Sequence, residues 1–289
     1  MRLKTLTFFY SIYNPNIIEL NYINKIITYI KNKPELNSEI DILIFDDTPN
    51  NKFKDFFKNL DIKTLNIKKN IKKNGALYYS LNHIKSKYIK IIDPDDFLVF
   101  DLLEKLIEKL KKSDSDYVIH SFYKLKEKKL RYRNYKNLRY YNFNTIYSAE
   151  KLRKHQSLIK NDILYCQDQY LGMIVDLDSK YKKINIPFYI YNRNSFSSIW
   201  NQVRKNDGYK KQNIDKILTD INENINFYYL NQNRLSRSVK PRFISLFFFK
   251  ERFKNKWEIY RYLKQKLKIK RLNVKIWLIY ACFLKAKWI

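Results

Sequence analysis

Short apolar, β-branched runs alternate with segments of helical spacing along the first hundred residues of the chain. Runs of roughly four to eight such residues, bounded by turn residues, are typical of buried strands. After the first run, Ile23, Ile26, Ile27 and Ile30 recur on one face of a helix that Pro34 is expected to end. The pattern predicts strands at residues 3–10, 39–45, 62–67 and 87–92, helices at about 53–60 and 76–84, and a turn at Asn74 and Gly75.

This alternation predicts an α/β fold, with a mostly parallel sheet flanked by helices. The carboxyl ends of parallel strands share one edge of the sheet, and ligands bind there in open α/β sheets. Ser11 and Tyr13 follow the first strand, Asp46 and Asp47 the second, and residues 93–96 the fourth. We therefore expect these side chains on one rim.

The second half of the chain has a less regular pattern. Leucines and an isoleucine between residues 102 and 110 predict an amphipathic helix. The other predictions are strands at 117–123 and 184–191, basic, aromatic sheet or loop at 130–144, a short helix at 145–154, a helix within 161–178, and a polar loop at 193–198.

The fourth predicted strand ends in three carboxylates within four residues, Asp93, Asp95 and Asp96, around Pro94. Proline lacks a backbone donor, so the strand is expected to stop there. Clustered carboxylates repel one another unless a cation lies among them, and hard oxygen ligands suit Mg²⁺ or Mn²⁺ shared with substrate phosphates. The alternative is a simple turn before a helix N-terminus, where acidic side chains are also favourable.

Composition narrows the possible partners. The formal net charge of +30 attracts polyanions such as nucleic acid, anionic lipid or acidic polysaccharide. The sequence has no zinc-finger spacing, aromatic RNA-recognition signature or basic-zipper heptads, so no nucleic-acid partner is predicted. Cys166 and Cys282 match neither a disulfide framework nor a metal-binding pattern, which favours a reducing compartment.

The start of the chain is interpreted as a strand, because no small-residue cleavage site follows its apolar stretch. The apolar run at 276–284 is shorter than the ~20 residues that a membrane span needs, and a cytoplasmic location is expected.

Residues 234–289 are basic and interleaved with aromatic side chains. Such segments can lie on an anionic membrane, which predicts peripheral association with the inner face of the plasma membrane. The alternative is a solvated helical appendage that packs on the main domain.

Four motifs follow one another at the ends of predicted elements: Ser11-Ile-Tyr-Asn14, Phe45-Asp-Asp-Thr48, Asp93-Pro-Asp-Asp96 (preceded by Asn74 and Gly75), and Gln167-Asp168. In this order they resemble the motifs of the family 2 glycosyltransferases of GT-A fold, over residues 3–198. That family's motifs read Thr/Ser-x-Tyr-Asn, Val-Asp-Asp-Gly-Ser, Asp-x-Asp-Asp and Glu-Asp. Residues 187–191 and 194–198 follow in the expected places.

The resemblance implies an inverting glycosyltransferase that uses a nucleotide-sugar donor, a UDP-sugar in the first instance, and Mn²⁺ or Mg²⁺. It implies Asp96 as the direct metal ligand, Asp95 as a contact to ribose or to the metal and its water shell, and Asp93 as support for that donor site. The acceptor would be a hydroxyl of a glycan or lipid-linked glycan in cell-surface polysaccharide biosynthesis. The oligomeric state stays open.

For the nucleotide, the resemblance implies that Asp47 hydrogen-bonds the base and that Ser11 and Tyr13 line the pocket. Core packing is the alternative for Tyr13, since aromatic residues at strand ends often pack inward.

Asp168 is the candidate catalytic base, a carboxylate with a pKa that burial by Tyr165, Tyr170 and Leu171 would raise. The alternative for Asp168 is an acid at a helix N-terminus, where the helix dipole favours its negative charge.

The chain departs from the family pattern at three places. Thr48 and Pro49 replace Gly-Ser, Leu81 replaces an Arg, and Gln167 replaces the Glu. Phosphate or acceptor contacts must then come from other groups, with Lys72, Lys73 and Arg193 as the candidates.

The predicted organisation is a nucleotide-sugar and metal-binding half at residues 1–100, an acceptor-binding half of the same domain at 101–233, and a basic helical extension at 234–289. One competing hypothesis is a non-catalytic protein that binds membrane or polyanion with a degenerate transferase core. Another is a nucleotidyltransferase, although residues 11–15 lack the Gly-rich loop of that class.

Overall fold

The structure is a computed structural model. It describes residues 3–49, 52–67, 69–134, 141–163 and 167–194, together with 219–220, 223–224, 226–227, 230–231 and 233–235. Several predictions concern residues outside this part of the chain: the basic extension beyond residue 235, most of the polar loop at 193–198, and Tyr165.

The first half forms the alternating unit that the hydrophobic pattern predicts. Its strands are β1 (Leu6–Ile12), β2 (Ile40–Asp46), β3 (Lys63–Asn66) and β4 (Tyr88–Ile92), and its helices are α1 (Ile17–Lys31), α2 (Pro34–Asn37), α3 (Lys54–Lys58) and α4 (Lys72–Ser80). Pro34 follows the end of α1 as expected, but it also opens the short helix α2, because proline suits the first helical position.

The second half completes the sheet. Its elements are β5 (Phe97–Leu98), α5 (Leu103–Lys111), β6 (Tyr117–Lys126), β7 (Lys129–Arg133), β8 (Thr145–Ser148), α6 (Ala149–Lys154), α7 (Gln167–Asp176) and β9 (Tyr181–Asn192). In the described part of the chain, nine strands form one sheet in the order β3-β2-β1-β4-β8-β6-β9-β5, and β7 pairs with β6 beside this path.

The sheet is mostly parallel around the first strands, as predicted. β1 pairs in parallel with β2 and with β4, and β2 pairs in parallel with β3. Every residue of β4 is buried, and α1 and α5 contribute apolar faces to the core cluster on the sheet. The registers place Ile12 beside Asp46 and Tyr10 beside Ile92, so β1, β2 and β4 end at the same edge.

Two sequence predictions are wrong. Residues 145–154 are a strand followed by a helix, because Thr145–Ser148 fills the gap between β4 and β6 and pairs antiparallel with both. Asn74 and Gly75 are not a turn and instead lie buried inside α4. There Gly75 is required by space, since an added Cβ would lie 2.9 Å from the Cβ of Ile71.

We therefore expect Gly75→Ala to destabilise the protein by about 1–3 kcal/mol, because the added methyl group would clash with Ile71 and force the two residues apart. Helix propensity alone predicts the opposite sign, a gain of roughly 1 kcal/mol. Urea unfolding measures the difference, with Lys109→Ala on the exposed face of α5 as a control that should stay within about 0.5 kcal/mol. A more stable Gly75→Ala protein would contradict the packing argument.

Candidate active site

The carboxyl ends of β1, β2 and β4 bring the rim residues of the first two motifs together. Asp47 donates its backbone N–H to the carbonyl of Ile12 at 2.8 Å, and the backbone N–H of Asn14 donates to the Thr48 hydroxyl at 2.9 Å. The loops after β1 and β2 are thus tied to each other. Thr48, which replaces the glycine of the family motif, holds the loop that contains Tyr13.

Asp47 links this rim to the start of α4. Its two carboxylate oxygens accept hydrogen bonds from the backbone N–H groups of Ile71, at 2.7 Å, and Lys72, at 2.8 Å. Burial raises the pKa of Asp47, and these two hydrogen bonds oppose the rise. Lys72 has a φ of 64°, an uncommon conformation for a residue other than glycine, and the bond to Asp47 helps to hold it there.

Tyr13 is 54% exposed, so core packing is excluded for it. The ammonium nitrogen of Lys72 lies 5.8 Å from the centre of the Tyr13 ring. Ser11 is half-buried in β1 beside Phe45 of β2. The rim therefore presents an aromatic ring and a cation within cation–π distance of each other, beside the loop that follows β1.

The acidic turn after β4 has one carboxylate that points into the protein. Asp96 is 2% exposed, and its oxygens accept from the Tyr189 hydroxyl at 2.6 Å and the Asn192 backbone N–H at 2.7 Å. Burial, with Asp93 and Asp95 nearby, raises the pKa of Asp96 well above its ordinary range. Asn192 also donates its side-chain N–H to the backbone carbonyl of Asp95 at 3.0 Å. Two residues of β9 therefore fix the shape of this turn.

Asp93 and Asp95 are half-buried and lie closer to the surface than Asp96. Asp93 forms an ion pair with Lys73 of α4. Burial would lower the pKa of Lys73, but the carboxylates of Asp93 and Asp168 outweigh it and hold that pKa above its ordinary value. Lys73 is thus the positive centre of an otherwise acidic site.

Asp168 lies in the first turn of α7 and reaches the same site from the second half of the chain. Its carboxylate accepts from the side-chain N–H of Asn142 at 2.8 Å and from the backbone N–H of that residue at 3.4 Å. Burial raises the pKa of Asp168; the Lys73 ammonium opposes the rise and Asp93 adds to it. A carboxylate with a raised pKa is suited to accept a proton.

Beneath these carboxylates, Lys90 is fully buried in the middle of β4. Its ammonium nitrogen lies 2.5 Å from the carbonyl oxygen of Asn142, 3.2 Å from Nε2 of His120 and 4.2 Å from the ring centre of Tyr189. Burial lowers the pKa of Lys90 well below its ordinary value. Lys90 therefore supports the backbone of Asn142, which in turn holds Asp168.

The carboxylates of the acidic turn could hold a divalent cation only together with other ligands, such as substrate phosphates. Among the described residues, no three His, Cys, Asp or Glu side chains are grouped so that they could hold a metal ion by themselves. Mg²⁺, however, is usually bound through one or two carboxylates together with substrate phosphates, so a complete protein cage is not required. Asp95 and Asp93 suit such a site because they lie nearer the surface than Asp96, whose carboxylate is buried.

The structure thus places Asp93, Asp96 and Asp168 around Lys73, while Ser11, Tyr13 and Asp47 lie on the adjoining rim. Sequence reasoning did not identify Lys90, Asn142, Tyr189 and Asn192. A lysine inside an apolar strand was a visible signal for Lys90. Nothing local to their sequence marked the other three, because their roles depend on β9 and the segment before β8 meeting the acidic turn.

Comparisons with known proteins agree with this geometry. The glycosyl transferase family 2 model matches residues 11–181, more than half of the chain, and the chain therefore belongs to that family of glycosyltransferases. No match was found among curated protein sequences.

Among solved structures, S. aureus TarS 1–349 is similar with a TM-score of 0.54 and 12% identity, covering 77% of this chain and 80% of that one. The same TarS fragment in complex with UDP-GlcNAc has a TM-score of 0.51 and 14% identity, covering 78% and 74%. These similarities establish a GT-A-like fold, in agreement with the expectation from the motifs.

The hydrogen bond between Tyr189 and Asp96 can be tested by its pH dependence. In Tyr189→Phe the buried carboxylate loses a donor, and we expect a loss of stability of about 1–3 kcal/mol near neutral pH. Because that hydrogen bond favours ionised Asp96, the variant raises the pKa of Asp96 further. A raised folded-state pKa stabilises the protein most at low pH and loses that contribution as the pH rises through it, so the defect should grow with pH.

Urea unfolding at several pH values measures this defect. Tyr123→Phe, a half-exposed tyrosine of β6, is the matched control and should change stability by less than about 0.5 kcal/mol. A defect of Tyr189→Phe that is independent of pH would show that the hydroxyl does not act on the Asp96 carboxylate.

Proposed function

We propose that the protein transfers a sugar from a nucleotide-sugar donor to a hydroxyl of an acceptor glycan, with inversion at the anomeric carbon. The observation that carries this proposal is the arrangement of Asp168, Lys73 and the acidic turn at one edge of a GT-A-like sheet. TarS, which has a similar fold, was crystallised with UDP and with UDP-GlcNAc, and this favours a UDP-sugar as the donor here.

In this proposal the nucleotide lies on the rim formed by the loops after β1 and β2. Tyr13 and Ser11 line its base and ribose, and Lys72 lies beside the ring of Tyr13 to approach a phosphate. Asp47 keeps the start of α4 in place. Because both of its oxygens already accept backbone hydrogen bonds, a direct bond to the base would use a remaining lone pair.

For the metal, we propose Asp95 as the direct ligand, with Asp93 beside it, and a positioning role for Asp96. This changes the order of roles implied by the motifs, because the Asp96 carboxylate is buried and bonded to Tyr189 and Asn192. When bound, Mn²⁺ or Mg²⁺ would neutralise the negative charge that develops on the leaving diphosphate.

Asp168 would accept the proton of the acceptor hydroxyl as that oxygen attacks the anomeric carbon. Asn142 orients the carboxylate through its side-chain and backbone N–H groups.

The acceptor itself is proposed from the family resemblance as a glycan or lipid-linked glycan of cell-surface polysaccharide. None of the helices in the described part of the chain is long and apolar enough to span a bilayer. Peripheral membrane association through residues 234–289 stays a prediction.

Asp168→Asn should lower kcat by about 10²- to 10⁴-fold, because the amide cannot accept the proton. The thermal shift caused by UDP should be unchanged, since the substitution removes no proposed donor contact. In the wild-type protein kcat/KM should fall as the pH drops through a pKa above the ordinary Asp value of about 3.9. Asp162→Asn, an exposed acid before α7, is the control. Normal turnover of Asp168→Asn would disprove its assignment as the base.

Asp95→Ala should remove the part of the UDP-induced thermal shift that depends on Mn²⁺, because it removes the proposed ligand. At 100 times its Kd, a ligand specific for the native state adds about 2.7 kcal/mol of stability, which a melting experiment detects readily. Asp55→Ala on α3 is an exposed control. If UDP does not stabilise the wild-type protein with or without metal, the non-catalytic alternative is favoured instead.

A further inference from the structure

The hairpin formed by β6 and β7 carries a concentrated positive charge. In its register Lys124 lies opposite Arg131, and Lys126 lies opposite Lys129. Since alternate residues of a strand share a face, these four side chains and Arg133 lie on the same side of the hairpin. We call these five residues, Lys124, Lys126, Lys129, Arg131 and Arg133, the basic face.

Like charges directly opposite each other destabilise a sheet, so the basic face has an energetic cost for the free protein. Burial and the neighbouring cations, with Arg193 the strongest of them, lower the pKa of Lys124. An alternative explanation for charged residues on an edge strand such as β7 is that they prevent edge-to-edge association with another sheet. That role does not explain Lys124, because β6 lies between β7 and β9 at this point and is not an edge.

The basic face surrounds a small cavity of about 90 Å³, which is lined by its five residues and Glu127. Glu127 is paired with Lys126 at 2.7 Å, so positive charge remains in excess. Pockets for drug-sized ligands have volumes of roughly 300–1,000 Å³, so a cavity of this size suits a single compact anionic group.

The basic face is joined directly to the candidate active site through β9. Lys124 pairs with Tyr191 and Leu125 with Asn192, the residue whose backbone N–H holds Asp96. The next residue, Arg193, donates its backbone N–H to the carbonyl of Leu125 at 3.0 Å. The basic face therefore adjoins the candidate active site through elements of the second half of the chain, which also contributes Asp168.

An aromatic stack lies between the two regions. Tyr191 stacks on Phe143 with ring centres 4.4 Å apart, and Phe143 stacks on Tyr141 at 4.8 Å. Burial raises the pKa of Tyr191 to about 12, with Asp96 adding to the rise and Arg193 opposing it. Tyr191 is thus close to the acidic turn and to a cation beside the basic face.

We propose that the basic face binds a phosphate-type anionic group of the acceptor, so that the acceptor is an anionic glycan rather than a neutral one. The inference rests on the proposed transferase function and specifies its acceptor. The phosphate can belong to a soluble phosphate-bearing polymer or to the diphosphate of a lipid-linked glycan, and the two sources share this chemistry.

The test measures binding of a short linear inorganic polyphosphate to the full chain by calorimetry, near physiological ionic strength. The variant K124Q/R131Q removes one opposed pair of the basic face. The control K58Q/K109Q removes the same charge from exposed positions of α3 and α5. We expect the first variant to bind about tenfold more weakly or worse, and the control to bind like the wild type.

A second arm presents a polyprenyl diphosphate in neutral detergent micelles. Selective loss in the polyphosphate arm identifies a soluble source and selective loss in the micelle arm a lipid-linked source, and either supports the proposal. Equal weakening of both variants would overturn it, because binding would then reflect only the net charge. A third arm measures binding to phosphatidylglycerol vesicles. If K124Q/R131Q lost binding selectively in this arm alone, the proposal would be overturned and the basic face would be assigned to the membrane surface. The thermal shift with UDP, measured in parallel, tests the proposed function separately.

Discussion

Two hydrogen bonds from β9 to the buried carboxylate of Asp96 join the two halves of the protein at its candidate active site. Asp96 belongs to the turn after β4, and Tyr189 and Asn192 belong to the last described strand. A buried carboxylate without such donors would be costly, so the position of the turn depends on β9 being in place. The geometry of Asp93 and Asp95 depends on the same contacts, because they share the turn.

The electrostatic balance of the site also comes from both halves. Asp93 and Asp96 are supplied by the turn after β4, Asp168 by α7, and Lys73 by α4. A positive side chain surrounded by carboxylates keeps the site from being a simple acidic cluster. Its ammonium also moderates the pKa of Asp168, which determines the pH range in which that carboxylate can accept a proton.

Opposite charges are concentrated in two neighbouring regions, one from each half of the chain. The acidic turn lies at the end of β4, and the basic face lies on the β6–β7 hairpin, with Tyr191 of β9 between them. In the proposed function, a cation at the acidic turn and an anionic group at the basic face would keep the two charged substrates apart until their reacting groups meet. Both regions are anchored to the same strand, so their separation is set by the sheet and not by a flexible linker.

The sequence by itself determined the alternating first half, because buried strands such as β4 require continuous apolar runs and Pro94 ends the last of them. It also determined which acidic residues meet on the rim, since parallel strands share one carboxyl edge. Only the tertiary structure decided that residues 145–148 are a strand, because the open position between β4 and β6 supplies hydrogen-bond partners that local spacing cannot reveal. It likewise decided that Asp96 turns inward, since neighbouring carboxylates look alike in sequence until Tyr189 and Asn192 supply donors to one of them.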